Sequence, residues 1–228
     1  MKKISIFLLL GTLSTLSLAA GNLNVRVGGD VKSKIGSLGS YSDGDTEDYG
    51  YEIGLEYMKP ITERLELGIG LAYQKHAKVS GNKIERSELN GLIESEFSKG
   101  YNDFQGYDSI PVYLTGKYTL NNNWLIKPYL KASLGYSFNF GNEDLEYSDD
   151  VQHENELTDT DLGGEVFESY KLSTKIKNGL YYSAGLGLEY RSLSLETLYQ
   201  VNNGKLSVGN KDYDADYEKI SLILNYKI

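Results

Sequence analysis

Residues 126–140 constrain the fold more than any other part of the chain. Ile126, Pro128, Leu130, Ala132, Leu134, Tyr136, Phe138 and Phe140 are apolar. The residues between them are Lys127, Tyr129, Lys131, Ser133, Gly135, Ser137 and Asn139. A helix would scatter the two sets around its circumference, whereas a strand sends them to opposite faces. Seven more segments show the same period of two. They present Leu23, Val25, Val27 and Val31; Tyr49, Tyr51, Ile53, Leu55 and Tyr57; Leu65, Leu67, Ile69, Leu71 and Tyr73; and Ile110, Val112, Leu114 and Tyr118. The last three present Leu180, Tyr182, Ala184, Leu186, Leu188 and Tyr190; Leu193, Leu195, Thr197, Tyr199 and Val201; and Ile220, Leu222, Leu224, Tyr226 and Ile228. Eight antiparallel strands close an up-and-down barrel without leaving an edge. A ten-stranded version, with one more pair drawn from the longest connections, is the alternative.

Connection length alternates. Residues 59–64, 119–123 and 191–192 are short links, while 36–48, 78–106, 141–175 and 202–216 are long and polar. Transmembrane barrels are built with short periplasmic turns and long extracellular loops. The second face of the strands decides between membrane and water. It carries Gly50, Gly54, Gly68, Gly70, Ala72, Gly135, Ser183, Gly185 and Gly187. Glycine on a solvated strand face weakens the strand for little return, but a narrow lumen needs small residues beside its few large ones. The apolar face is therefore expected to meet lipid. No segment after the first twenty residues approaches about 18 continuous apolar residues, so a closed barrel is the route left across a bilayer.

Residues 1–20 differ from the rest. Lys2 and Lys3 precede an apolar run beginning at Ile4, and Ser17-Leu18-Ala19 offers small residues for cleavage. This predicts a secretory signal peptide at 1–20 and a barrel domain at 21–228. The absence of cysteine excludes disulfides, thiolate metal sites and a lipidated cysteine. With 32 Asp and Glu against 23 Lys and Arg, no basic stripe is available for nucleic acid.

Arg26, Glu56, Glu66, Lys117, Lys131, Glu189 and Glu196, with Lys227, fall on the small-residue face near the predicted periplasmic end. Both signs are present, so they are expected to pair across the lumen as a plug of salt bridges. An ion-conducting or gating network is the functional alternative. Tyr57, Tyr118, Tyr190 and Tyr226 each end a strand that descends to the periplasm, and Trp124 lies nearby. They are expected to form an aromatic girdle at that interface, where an apolar ring with a polar tip is at home.

The chain resembles the small eight-stranded outer-membrane β-barrel proteins, the OmpA-, OmpX- and opacity-type group. The resemblance covers the whole mature chain. It is closest at Ile110-Pro111-Val112-Tyr113-Leu114 followed by Pro128-Tyr129-Leu130-Lys131-Ala132-Ser133-Leu134-Gly135-Tyr136. The final alternation 220–228 resembles the signal read by the barrel-assembly machinery, although it ends in Ile228 where that signal usually ends in Phe. The resemblance implies a bacterial outer-membrane location among phospholipid and lipopolysaccharide. It implies a role in adhesion, host or surface interaction, envelope integrity or limited transport.

Chemistry, if present, belongs to the loops. Residues 141–170 hold eleven carboxylates and no Lys or Arg; Asp43, Asp45, Glu47 and Asp48 form a smaller acidic group, as do Asp212, Asp214, Asp216 and Glu218. None has the spacing of a calcium loop, so no metal or cofactor is expected; an acidic rim suits cation bridges to lipopolysaccharide or a basic partner. His76 and His153 are the histidines. Ser80 near His76, and Asp103 or Asp108, give no recognisable catalytic pattern. The expectation is a non-enzymatic barrel with interacting loops; the alternative is a narrow porin-like channel.

Overall fold

The computed structural model describes residues 21–35, 44–45, 49–77, 83–90, 93–101, 107–121, 123–141, 144–155, 160–208 and 211–228. The signal peptide expected at 1–20, Ser80, Asp103 and the acids Asp43, Glu47 and Asp48 lie outside them. Eight strands form the barrel: β1 Asn22–Ile35, β2 Tyr51–Pro60, β3 Leu65–Lys75, β4 Asp108–Thr119, β5 Lys127–Phe140, β6 Gly179–Tyr190, β7 Leu193–Asn202 and β8 Tyr217–Lys227. Each pairs antiparallel with its neighbour in sequence, and β8 pairs with β1 to close the ring. In that seam Val25 stands opposite Tyr226 and Val27 opposite Leu224. The Ile228 N–H donates to the Leu23 carbonyl at 2.8 Å. Strands of 10 to 14 residues suffice to cross the hydrocarbon layer when tilted.

The two faces differ in kind. In β5 Leu130, Leu134, Tyr136 and Phe138 are exposed while Tyr129, Lys131, Ser133 and Ser137 are buried. Arg26, Glu52, Glu56, Lys131, Glu196 and Lys219 are among the most buried side chains, and Leu134 is 63% exposed. A water-soluble barrel would reverse these sets. Val201, expected on the outer face, is instead buried; it lies at the end of β7, beside the buried Asn202. Toward the same end, in the seam, a bulge between Asp30 and Lys32 gives β1 one extra residue against β8. The bulge leaves Val31 outside and returns Ser33 and Ile35 to the interior.

Turns 61–64, 120–126 and 191–192 close one end, here called the turn end. Thr62 Oγ1 accepts from the N–H groups of Arg64 and Leu65, at 3.2 and 3.0 Å. The other end carries a second sheet of six strands, in the order Lys211–Asp214, Lys205–Val208, Thr160–Lys177, Asp144–Asn155, Ile93–Tyr101 and Lys83–Asn90. Three of the four long connections thus pair with one another as hairpins outside the barrel, and the barrel stays at eight strands. Their content of Asp and Glu, residues depleted in strands, hid this pairing from propensity.

Candidate functional site

The barrel interior is the largest assembly of ionisable side chains that the structure describes. Period two sends Arg26 of β1, Glu52 and Glu56 of β2, Lys131 of β5, Glu196 of β7 and Lys219 of β8 inward. The Arg26 guanidinium donates to Glu52 at 2.8 Å and pairs with Glu56 and, at 2.7 Å, the Tyr113 hydroxyl. Lys131 donates to Glu56 at 2.7 Å and Glu196 at 2.9 Å. Tyr129 donates to Glu196 at 2.8 Å. Lys219 reaches Asp30 at 3.1 Å and Glu52 at 3.3 Å. Above these, Gln200 and Gln74 donate to Glu52, at 2.8 and 3.0 Å, and Tyr181 donates to Gln200 at 2.8 Å. The charges therefore form one lattice across the lumen, with hydrogen bonds to the carboxylates meeting the cost of removing them from water.

Two glycines make room for its tyrosines. A Cβ placed on Gly70 would come within 2.5 Å of the Tyr113 ring, and one on Gly187 within 2.4 Å of the Tyr129 ring. The small-residue face is thus a set of seats for large lumen side chains.

Lys117, Glu66 and Glu189 stand apart as a second group at the turn end. Lys117 donates to Glu66 at 2.9 Å and also pairs with Glu189. They line a polar pocket there with Asn24, Asn225 and Lys227, and Glu56, Lys131 and Glu196 of the lattice form its inner wall. The eight charges placed by sequence near one end therefore occupy two levels. Four of them, Arg26, Glu56, Lys131 and Glu196, belong to the deep lattice. Sequence reasoning missed Glu52, Asp30 and Lys219 in that lattice, although Glu52 shares the parity of Gly50, Gly54 and Glu56.

A third group closes the sheet end. His76, one residue beyond β3, is buried between Tyr107 and Tyr217, with ring centroids 4.6 and 4.0 Å away. His76 Nε2 lies 3.0 Å from Ser109 Oγ, and the Ala77 N–H donates to the Tyr217 hydroxyl at 3.0 Å. Burial, with the Lys219 charge added, holds the His76 imidazole well below its usual pKa. Ile35, Ile176, Leu206 and Ala215 are buried at this end too. None of these partners of His76 was legible in the sequence, because Tyr107 and Ser109 at the start of β4 and Tyr217 at the start of β8 are far from it along the chain.

Tyr118, Trp124, Tyr190 and Tyr226 are exposed and Tyr57 half-exposed on the outer face or turns of the turn end. The acids at 212–218 disperse among partners. Asp212 pairs with Lys177 at 2.6 Å, the Asp216 carboxylate accepts from the Gly204 N–H at 3.2 Å, and Glu218 takes Lys34 and the Tyr199 hydroxyl. Among the described residues no group of three or more potential ligands is arranged for a metal ion.

A closed antiparallel barrel with apolar side chains outside and an ionised, hydrogen-bonded interior is a membrane β-barrel. The chain matches the family described as "Outer membrane protein beta-barrel domain" over residues 5–227. It belongs to that family and is a bacterial outer-membrane protein. An uncharacterized protein of Pasteurella multocida strain Pm70, PM1543, is 28% identical over 222 residues, covering 92% of this chain and 89% of its own. OprG from Pseudomonas aeruginosa is 14% identical over 92% of this chain and 96% of its own, with a TM-score of 0.45. Ail, the attachment invasion locus protein of Yersinia pestis, solved with the heparin analogue sucrose octasulfate, is 15% identical over 92% and 99%, with a TM-score of 0.40.

Proposed function

We propose that this protein is a non-enzymatic outer-membrane scaffold that presents its sheet end to the cell exterior, where those connections act in adhesion, surface interaction or envelope integrity. The observation that carries this reading is the six-stranded sheet, built from three connections that all leave the same end of the barrel. The turn end then faces the periplasm, Tyr57, Tyr118, Trp124, Tyr190 and Tyr226 form the girdle at that interface, and β8 is the segment offered to the barrel-assembly machinery. Acidic connections at the surface suit cation bridges to lipopolysaccharide.

The narrow-channel alternative is disfavoured by two observations. The mid-lumen charges are paired and fully buried, and the aromatic group around His76 stands across the mouth. Both fill the path that an ion would take. The contact between His76 and Ser109 lies inside this buried group, with both side chains closed off from solvent, which supports a non-enzymatic barrel.

Deleting residues 142–168 tests the assignment. The expected outcome is a heat-modifiable, folded barrel that no longer binds whole-cell or surface partners recognised by the intact protein. Full retention of that binding would assign the function elsewhere.

A further inference from the structure

The turn end carries a surface that closing the barrel does not require. Ile61 in the first turn and Leu120, Trp124, Leu125 and Ile126 in the second are exposed, Trp124 to 60% and Leu125 to 75%. They continue the apolar band of Leu67 and Tyr118 beyond the strand ends. The exposed charged side chains beside them are Lys59, Arg64 and Arg191, against one exposed acidic side chain, Glu63, among the described residues at this end. Glu66 and Glu189 turn inward to Lys117. The outside of this end is therefore basic and apolar at once, although the chain as a whole is acidic.

Arg191 sharpens the point. It adopts φ 56° in the two-residue link between β6 and β7, a conformation that glycine or asparagine adopts more readily. Its guanidinium lies over the Tyr190 ring, 5.2 Å from the centroid, and Tyr190 is on the outer face. The stack holds a cation at the level where an aromatic ring meets headgroups.

We propose that the turn end binds anionic phospholipid of the leaflet it faces, with Lys59, Arg64 and Arg191 meeting headgroup phosphates while Trp124, Leu125 and Ile61 lie at the acyl boundary. Charge complementarity and continuity with the lipid-facing band select lipid over a soluble partner. Each cation beside an anionic surface is worth about fivefold in affinity. Naming this leaflet as the periplasmic one rests on the orientation given above.

Trp124 is the only tryptophan in the chain, so its fluorescence reports on this turn alone. The full-length barrel is refolded into vesicles containing brominated phosphatidylglycerol or brominated phosphatidylcholine, and quenching gives their relative affinity at Trp124. A preference of about fivefold or more for phosphatidylglycerol is expected, weakened by 0.5 M salt. Arg64→Gln with Arg191→Asn should bring it close to parity. Asn tolerates the turn conformation, and heat-modifiable migration verifies folding; Lys59→Gln with Arg64→Gln is the second variant. Lys34→Gln, at the opposite end, should keep the preference. Parity in the unaltered protein, or a preference untouched in both double variants, overturns the proposal. Orientation is read separately by labelling Ser192→Cys on intact cells with an impermeant maleimide, since the chain has no cysteine of its own. Labelling from outside would overturn the periplasmic assignment and leave the vesicle result standing.

Discussion

Arg26 and Lys117 each hold two carboxylates inside one barrel, yet they sit in different solvents. Arg26, Glu52 and Glu56 are at most 1% exposed, while Lys117, Glu66 and Glu189 retain 12, 21 and 19%. When a deep pair loses a partner, the remaining charge has no water to return to. When a pair at the turn end does so, the remaining charge can rehydrate. The same bonding chemistry is thus structural at one level and adjustable at the other, and depth alone makes the difference.

The largest effect should follow from Arg26→Leu, which removes the cation shared by two buried carboxylates and leaves Glu52 with Lys219 and Glu56 with Lys131. A loss of about 3–5 kcal/mol is expected from breaking a buried pair, read as a lower urea midpoint for conversion of the heat-modifiable form in vesicles. The same variant should show ion conductance in planar bilayers where the unaltered barrel shows none. Stable conductance by the unaltered barrel that changes on Glu56→Gln would favour the channel instead.

His76 gives a smaller, pH-dependent effect. Its folded pKa lies below the ordinary value because of burial and then the Lys219 charge. The unfolded chain therefore takes up a proton first as pH falls. The stability contributed by neutral His76 is complete above about pH 6.5 and is lost as pH falls below it, at up to about 1.4 kcal/mol per pH unit. His76→Gln should flatten this part of the profile relative to the unaltered protein. Identical slopes for the two would show that His76 is not the titrating group.

The smallest effect belongs to Lys117→Met. The partly exposed carboxylates it leaves behind can be hydrated, so about 1 kcal/mol is expected, and 0.5 M salt should shrink the difference. A loss as large as that of Arg26→Leu would erase the distinction between the two levels.

Most of the barrel was readable in the chain. Leu130, Leu134, Tyr136 and Phe138 declare their face by alternation, and Ile220, Leu222, Leu224 and Tyr226 do the same in the strand that pairs with β1. The hairpins above the barrel were not readable. Their segments are rich in Asp and Glu, and their pairing joins residues as distant as Ile93 and Asn155. In the lumen, parity showed that Arg26 and Glu56 point inward but not which charge meets which.

What the sequence determined by itself was the side of the wall on which most strand residues stand, Val201 and the stretch after the bulge in β1 excepted, because a strand alternates its side chains locally and needs no partner to do so. Only the closed ring decided the rest. Arg26 meets Glu52, Lys131 meets Glu56 and Lys219 meets Glu52 because strand tilt and register set their heights. His76 is enclosed because Tyr107 and Tyr217 reach it from opposite parts of the chain. Those meetings depend on pairings between residues far apart in sequence, and local periodicity carries no record of them.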